Sequence, residues 1–240
     1  MAIYHLSMKP ISRASGRSAV AAAAYRTAEK LTNERDGLIH DFTRRSGVEH
    51  SEIVLPGDRM AEDGRLIQSP GLGWARDRSA LWNAAEAAEK RKDARVAREI
   101  EVALPHELTA EQRVTLTREF AQSLADRYGV AVDFAIHSPH RDSSVLNHHA
   151  HIMMTTRKVT AVGAAEAVGA VAAGEAGGAA TPSGLGDKSE LELENGRLVA
   201  LGLPTTHEQL RDMRISWEQL SNTHLARAGL DVRIDHRSHQ

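Results

Sequence analysis

Residues 130–155 read VAVDFAIHSPHRDSSVLNHHAHIMMT, two apolar runs on either side of a short polar stretch. The runs Val130–His137 and His149–Thr155 each predict a strand. The link Ser138–Asn147 is short enough to join antiparallel neighbours. Side chains on a strand alternate with a period of two, so His149 and His151 share a face, as do Ala135 and His137. If the two strands pair, three imidazoles converge. His148 then points to the opposite face, and His140 in the link could replace His137 if the register slips.

The rest of the chain extends this frame. Arg98–Leu104 alternates, with Arg98, Ile100, Val102 and Leu104 on one face and Glu99, Glu101 and Ala103 on the other. Ala2–Leu6 reads as an opening strand and Ser12–Gly16 as a polar turn. Leu38–Phe42 and Val48–Leu55 read as two strands of a hairpin turned at Arg44-Arg45-Ser46-Gly47. Helical spacing predicts helices over Ser18–Glu34 and Arg78–Ala94. Thr109–Gln112 is a capping-box signature opening a helix to about Arg127, ended by Gly129. Thr205–Glu208 is a second such signature, and its helix stops at Gly229. Leu230–Ile234 reads as a last strand. Gly57–Gly73 reads as a loop, and the Ala/Gly/Glu-rich stretch at about 159–187 as a low-complexity mobile insertion. Interleaved helices, hairpins and irregular spacings predict an α+β fold around an antiparallel sheet. One domain over 1–240, closed by a helix–strand segment at 205–235, is the expected organisation.

Composition narrows the chemistry. With no cysteine and 13 histidines in 240 residues, thiolate sites are excluded and any metal must be held by His, Asp or Glu. The lack of cysteine fits a reducing compartment such as the cytoplasm. No signal peptide opens the chain, and no run approaches a membrane span. A net charge of -2 means that any contact with nucleic acid relies on locally clustered cations.

Three neutral imidazoles with open positions suit a divalent ion that also grips a substrate oxygen. Glu99 or Glu101 could take the second N–H of a ligating ring or accept a proton. Tyr25, after four alanines at 21–24, stands in sterically open surroundings beside Arg26, and a phenol can attack phosphorus. Arg13, Arg17, Arg26, Arg44, Arg45 and the run Lys90-Arg91-Lys92 are candidates for tracking a phosphate backbone, and Trp74 and Trp82 for stacking on bases.

Together these pieces resemble the MobA/MobL family of plasmid-mobilisation relaxases, within the HUH endonucleases. The resemblance runs through Met1–Leu6, Ser12-Arg13, Gly16–Ala19, Ala24-Tyr25-Arg26, Ala97–Pro105, Glu107-Leu108, Ala135-Ile136-His137, His149-Ala150-His151 and Arg233–Arg237. The chain departs from the family in carrying His148 where a proline usually stands. The resemblance implies a five-stranded antiparallel sheet flanked by helices, with a ferredoxin-like or RRM-like core. It also implies Tyr25 as nucleophile, His137, His149 and His151 as ligands of Mg²⁺ or Mn²⁺, and nicking of single-stranded plasmid DNA at a transfer origin. Relaxosome and coupling proteins are the implied partners. Tyr4 is a second nucleophile candidate. Other readings of the same residues are a rolling-circle replication initiator, a phosphoesterase in which water attacks, and a non-catalytic DNA-binding scaffold. Relaxases of this type often carry further domains, and the sequence leaves open whether this one continues past Gln240.

Overall fold

The computed structural model describes residues 4–139, 146–161 and 184–237. In chain order the elements are β1 (Leu6–Ser12), α1 (Ala19–Thr27), β2 (Lys30–Thr32), β3 (Ile39–Asp41), β4 (Val48–Val54), β5 (Arg59–Met60), β6 (Leu66–Ile67) and α2 (Arg78–Ala88). There follow β7 (Arg95–Ala103), α3 (Ala110–Tyr128), β8 (Val132–His137), β9 (His149–Met154), β10 (Arg157–Val159), β11 (Leu185–Lys188), α4 (Asn195–Ala200) and α5 (Thr206–Arg227). The main sheet has five strands in the order β1-β7-β9-β8-β4, and every neighbouring pair is antiparallel.

The sheet lies between two helical layers. Val54, Ile100, Val102, Phe134, Ile136, Ala150 and Ile152 bury one face against α3 and α5, whose Phe120 and Trp217 rings sit 5.0 Å apart. Ile53, Ala97, Ala131 and Met153 bury the other face against Ala22, Ala23 and Ala24 of α1 and Leu81, Trp82 and Ala85 of α2. Removing both faces from water supplies the main driving force, at about 25 cal/mol per Å² of apolar area. The small alanine face of α1 lets its backbone approach the sheet closely, and this brings the helix to the histidine strands.

Local signals set the helix starts. Ser18 and Asp77 accept from the backbone N–H groups of Ala21 and Ala80, and both expected capping boxes form, Thr109 with Gln112 and Thr205 with Glu208. Helix ends differ from expectation. Helix α1 stops at Thr27 rather than Glu34 because Ala28 turns into the left-handed region at φ 57°. Helix α2 stops at Ala88 rather than Ala94, because Glu89 is drawn inward to pair with Arg157 and Lys188.

Three strand expectations are corrected. The opening strand runs over Leu6–Ser12 and leaves out Tyr4 and His5, while residues 2–3 of the expected strand lie outside the described residues; it carries Pro10, and a proline is tolerated there because β1 is an edge strand. The predicted hairpin of Leu38–Phe42 with Val48–Leu55 does not form: β3 pairs with β2, and β4 joins β8 in the main sheet. Residues 230–234 form no strand, because the Asn222 side chain both donates to and accepts from the Ile234 backbone, in place of a ladder partner. The expected insertion lies mostly outside the described residues, but its ends are fixed. Thr160 N–H donates to the Gly184 carbonyl at 2.6 Å beside the β10–β11 pair. Trp74 donates to the Thr160 carbonyl at 3.0 Å. The expected loop at 57–73 contains the small β5–β6 pair.

Candidate functional site

Strands β8 and β9 pair in the register that sets His137 opposite His149 and Ala135 opposite His151. All three imidazoles lie on the α1 side of the sheet. Their ring centroids are 5.4 Å (137 to 149), 4.9 Å (137 to 151) and 5.2 Å (149 to 151) apart. One ligand atom from each falls within 4.8 Å of the others. His137 is buried, and His149 and His151 are half-buried.

Each ring spends one nitrogen on an oxygen and so keeps the other. His137 Nε2 donates to the Arg26 carbonyl at 2.7 Å, His149 Nδ1 to the Asn147 carbonyl at 3.1 Å, and His151 Nδ1 to Glu99 Oε1 at 3.0 Å. These bonds fix the tautomers and leave a lone pair on His137 Nδ1, His149 Nε2 and His151 Nε2. Burial lowers the pKa of His137 to about 4, helped by neighbouring His151, Arg45 and His149 and opposed by the Arg26 carbonyl. Burial likewise lowers that of His149. These two rings are therefore neutral near pH 7, the form that ligates metal. The donor set fits a divalent ion: neutral nitrogens, oriented by second partners, beside one ionised carboxylate.

Glu99 and Glu101 share a face, as expected, but only Glu99 enters the network. Its carboxylate is 8% exposed and takes bonds from His151 and, at 2.5 Å, from Arg26 Nε. Burial alone would raise its pKa. The bonds from His151 and Arg26 outweigh burial and hold the carboxyl well below the usual carboxylate range. Glu99 is thus an orienting anion and a poor proton acceptor. Glu101 lies opposite His151 on the strand pair and acts on His149 through its charge.

The last turn of α1 docks here. A helix end leaves its final carbonyls without helical partners. The Ala28 and Glu29 N–H groups both go to the Ala24 carbonyl. The Tyr25 carbonyl is taken by Arg45 at 2.8 Å, and the Arg26 carbonyl by His137. The negative end of the helix dipole therefore faces the imidazoles, a favourable setting for a cation. Tyr25 is 40% exposed, with Phe42 edge-on at 5.2 Å and the Arg45 guanidinium carbon 3.8 Å from its ring centroid.

The other candidates separate into two groups. Arg17, Arg26 and Arg45 surround Glu99 and Tyr25, and Arg44 is exposed on the same β3–β4 turn. Arg13 does not fit a phosphate contact: its guanidinium is 6% exposed and bonds Glu86 and the carbonyls of Glu86, Glu89 and Arg91. Lys90, Arg91 and Lys92 are exposed after the end of α2, off any helix, and Arg91 pairs with Asp93 at 2.9 Å. Trp82 is fully buried and donates to Asp133, which leaves no face for a base. Trp74 is half-buried against Gly184. Tyr4 packs on the α3 and α5 face, away from the histidines, and burial pushes its phenol up to about 12. His148 is half-buried and lies 3.5 Å from Glu49, not in the cluster. His140 lies outside the described residues. Sequence reasoning missed Phe42, whose contact with Tyr25 arises only when the turn folds over α1.

A second group, Glu218, Asp235 and His236, also comes together. Its charges are already matched, because Arg237 spans the Asp235 carboxylate and His236 donates to Glu218. It fastens the segment after α5.

The chain is similar to known proteins along most of its length. The model of the MobA/MobL family matches residues 17–240. The mobilization protein MobL of Acidithiobacillus ferridurans is 40% identical over 261 residues, covering 100% of this chain and 58% of that protein. The conjugal transfer protein TraA of Rhizobium radiobacter is 35% identical over 241 residues, covering 100% of this chain and 20% of its own length. A solved structure described as "Molecular Basis of Vancomycin Resistance Transfer in Staphylococcus aureus" aligns with a TM-score of 0.70 at 27% identity, covering 99% of this chain and 100% of that one.

Proposed function

From the premise that the chain belongs to the MobA/MobL family, we propose that it nicks one strand of plasmid DNA at a transfer origin and later rejoins it. The observation that carries this reading is the docking of α1: Tyr25 immediately precedes the residue whose carbonyl His137 holds. Tyr25 is the nucleophile, and His137, His149 and His151 hold a divalent ion, Mg²⁺ or Mn²⁺. The chemistry such an ion supplies when bound is polarisation of a phosphoryl oxygen and neutralisation of charge developing on it.

The residues divide the remaining work. The Tyr25 hydroxyl attacks the scissile phosphorus in line. A bond forms between the phenolic oxygen and phosphorus, and the bond from phosphorus to the 3′-oxygen breaks. The phenol gives up its proton, and the departing 3′-oxygen gains one. The products are a 5′-phosphotyrosyl enzyme and a free 3′-hydroxyl. Because one phosphodiester replaces another, attack by the 3′-hydroxyl can reverse the step. Glu99 orients His151 and Arg26. Arg17, Arg26 and Arg44 offer positive charge to the phosphates flanking the break.

The chain spans 58% of the MobL relative and 20% of the TraA relative. The relatives' names speak of mobilization and conjugal transfer, and strand transfer with relaxosome and coupling partners is part of this proposal. Plasmid DNA as substrate places the activity in the cytoplasm. No described helix is long and apolar enough to cross a membrane.

The test is Tyr25→Phe with a labelled single-stranded oligonucleotide from the cognate origin and Mn²⁺. The expected outcome is loss of both cleavage and the denaturation-resistant protein–DNA adduct. Cleavage at the wild-type rate would transfer the attack to water and overturn the covalent mechanism.

A further inference from the structure

We propose that Arg45 is the positioning residue for the Tyr25 hydroxyl, rather than one more cation tracking the DNA backbone. The inference rests on Tyr25 being the nucleophile. On α1 itself the Arg26 guanidinium carbon lies 5.2 Å from the ring centroid, but that guanidinium is tied to Glu99. Alanines occupy 21–24, and the ring is 40% exposed. A tyrosine in such surroundings samples more than one χ1 well, and only one orientation serves in-line attack.

Arg45 removes this freedom from two sides. Its guanidinium carbon lies 3.8 Å from the ring centroid, a close stack over the face. Its NH1 group donates to the carbonyl of Tyr25 itself at 2.8 Å. One side chain thus grips both the backbone and the ring of the same residue. Phe42 closes on the ring edge-on at 88° and 5.2 Å. Arg45 and Phe42 are locked together, since the Arg45 N–H donates to the Phe42 carbonyl at 2.8 Å.

The turn that carries them is anchored at both ends. On one side the Phe42 N–H donates to the Glu29 carbonyl at 3.1 Å, just past the end of α1. On the other side Val48 stands opposite His137, and the Ser138 N–H donates to the Gly47 carbonyl at 2.9 Å. Gly47 permits this approach: at φ 93° a side chain is strained, and an added Cβ would come 3.2 Å from Ser138 Oγ. Residues 42–47 therefore form a strap from the nucleophile to the strand end bearing His137. A group that sets a reacting atom relative to its site acts on turnover more than on binding, because misplacement by about 1 Å costs on the order of 10²-fold.

The test compares Arg45→Ala and Arg45→Lys with the wild type in three measurements. With Mn²⁺ and a cognate single-stranded oligonucleotide, Arg45→Ala is expected to lower kcat by about 10- to 100-fold. Oligonucleotide affinity, measured by fluorescence anisotropy, should change less than about threefold, since Arg45 is committed to Tyr25 and the cations offered to the phosphates, Arg17, Arg26 and Arg44, are kept. Arg45→Lys should recover kcat only in part, because an ammonium lacks the planar stack. The third measurement needs no activity. The chain has three tyrosines, so ring-labelled NMR spectra assign each through its Phe variant. Arg45→Ala should shift the Tyr25 ring signals and leave Tyr4 and Tyr128 in place. An unchanged Tyr25 signal, or a loss of affinity with kcat intact, would overturn the proposal. Wild-type cleavage by Tyr25→Phe would instead remove the reading on which it rests, and the ring signals would still report the contact.

Discussion

His137 donates a hydrogen bond through Nε2 to the main-chain carbonyl of Arg26 at 2.7 Å. The bond does two jobs. It closes an otherwise unpaired carbonyl at the end of α1, and it fixes the ring so that Nδ1 is free to ligate. His137→Ala should therefore fail twice. Leaving that carbonyl unpaired should cost about 1–3 kcal/mol of stability, measurable by chemical denaturation without metal. The rise in melting temperature expected for the wild type on adding Mn²⁺ should also shrink, since a ligand contributes RT ln(1 + [L]/Kd) only where it binds. An Mn²⁺ response equal to the wild type would remove His137 from the ligand set.

The two carboxylates on β7 should separate clearly. Glu99 bonds His151 and Arg26, whereas Glu101 faces His151 across the strand pair and makes no such bond among the described residues. Glu99→Gln keeps an acceptor but loses the charge, and it should weaken Mn²⁺ affinity by about 10- to 100-fold, the usual cost of a lost outer partner. Glu101→Gln should change affinity by less than about threefold, as expected for a charge that acts without a bond. Calorimetric titration of both variants decides the matter, and the reverse ranking would reassign the orienting role.

How far the sequence could be read follows from the range of each signal. His149 and His151 share a face because strands repeat every two residues, a purely local fact. Thr109 and Thr205 announce their helices through the next three residues. That β1 continues through Pro10 is not a local fact: a proline is excluded from central strands but not from an edge, and edge status depends on the whole sheet. Ala28 gives no local sign of stopping a helix, since alanine favours continuing it. What stops α1 is tertiary: Arg45 and His137 claim carbonyls that a longer helix would use. For the same reason the arginines looked alike in sequence, yet Arg13 became a buried clasp and Arg45 a lid on the Tyr25 ring.

Acid should loosen the far side of the sheet through Glu52. Burial alone would raise its pKa, but bonds from His50 and Arg118 outweigh it and lower the value to about 2. A folded-state pKa below the unfolded one adds stability that is fully present above the unfolded value, about 4.3, and is lost as pH falls toward the folded one. Glu52→Gln should therefore be less stable at pH 6 by about 1–2 kcal/mol, less than full linkage because the side chain is partly solvated. The gap to wild type should narrow as pH drops below 4. Urea denaturation at pH 6 and pH 3 tests this, and a gap that widens on acidification would reverse the assignment.

Ala28 sits at φ 57°, and it is the only non-glycine with positive φ among the described residues. For an L-residue this conformation costs about 1–2 kcal/mol, which glycine avoids. Glycine also gives the unfolded chain more freedom, which offsets about 0.4–1 kcal/mol of the gain. Ala28→Gly should therefore stabilise the protein by about 0.5–1 kcal/mol net, seen as a higher denaturation midpoint at unchanged slope. The turn must stay left-handed for the Tyr25 and Arg26 carbonyls to reach Arg45 and His137, so the gain should come without loss of Mn²⁺ affinity. Ala28→Val, branched at the same φ, should destabilise by more than glycine stabilises. If both substitutions moved stability the same way, the packing of the Ala28 methyl group, and not its backbone angle, would be what governs the end of α1.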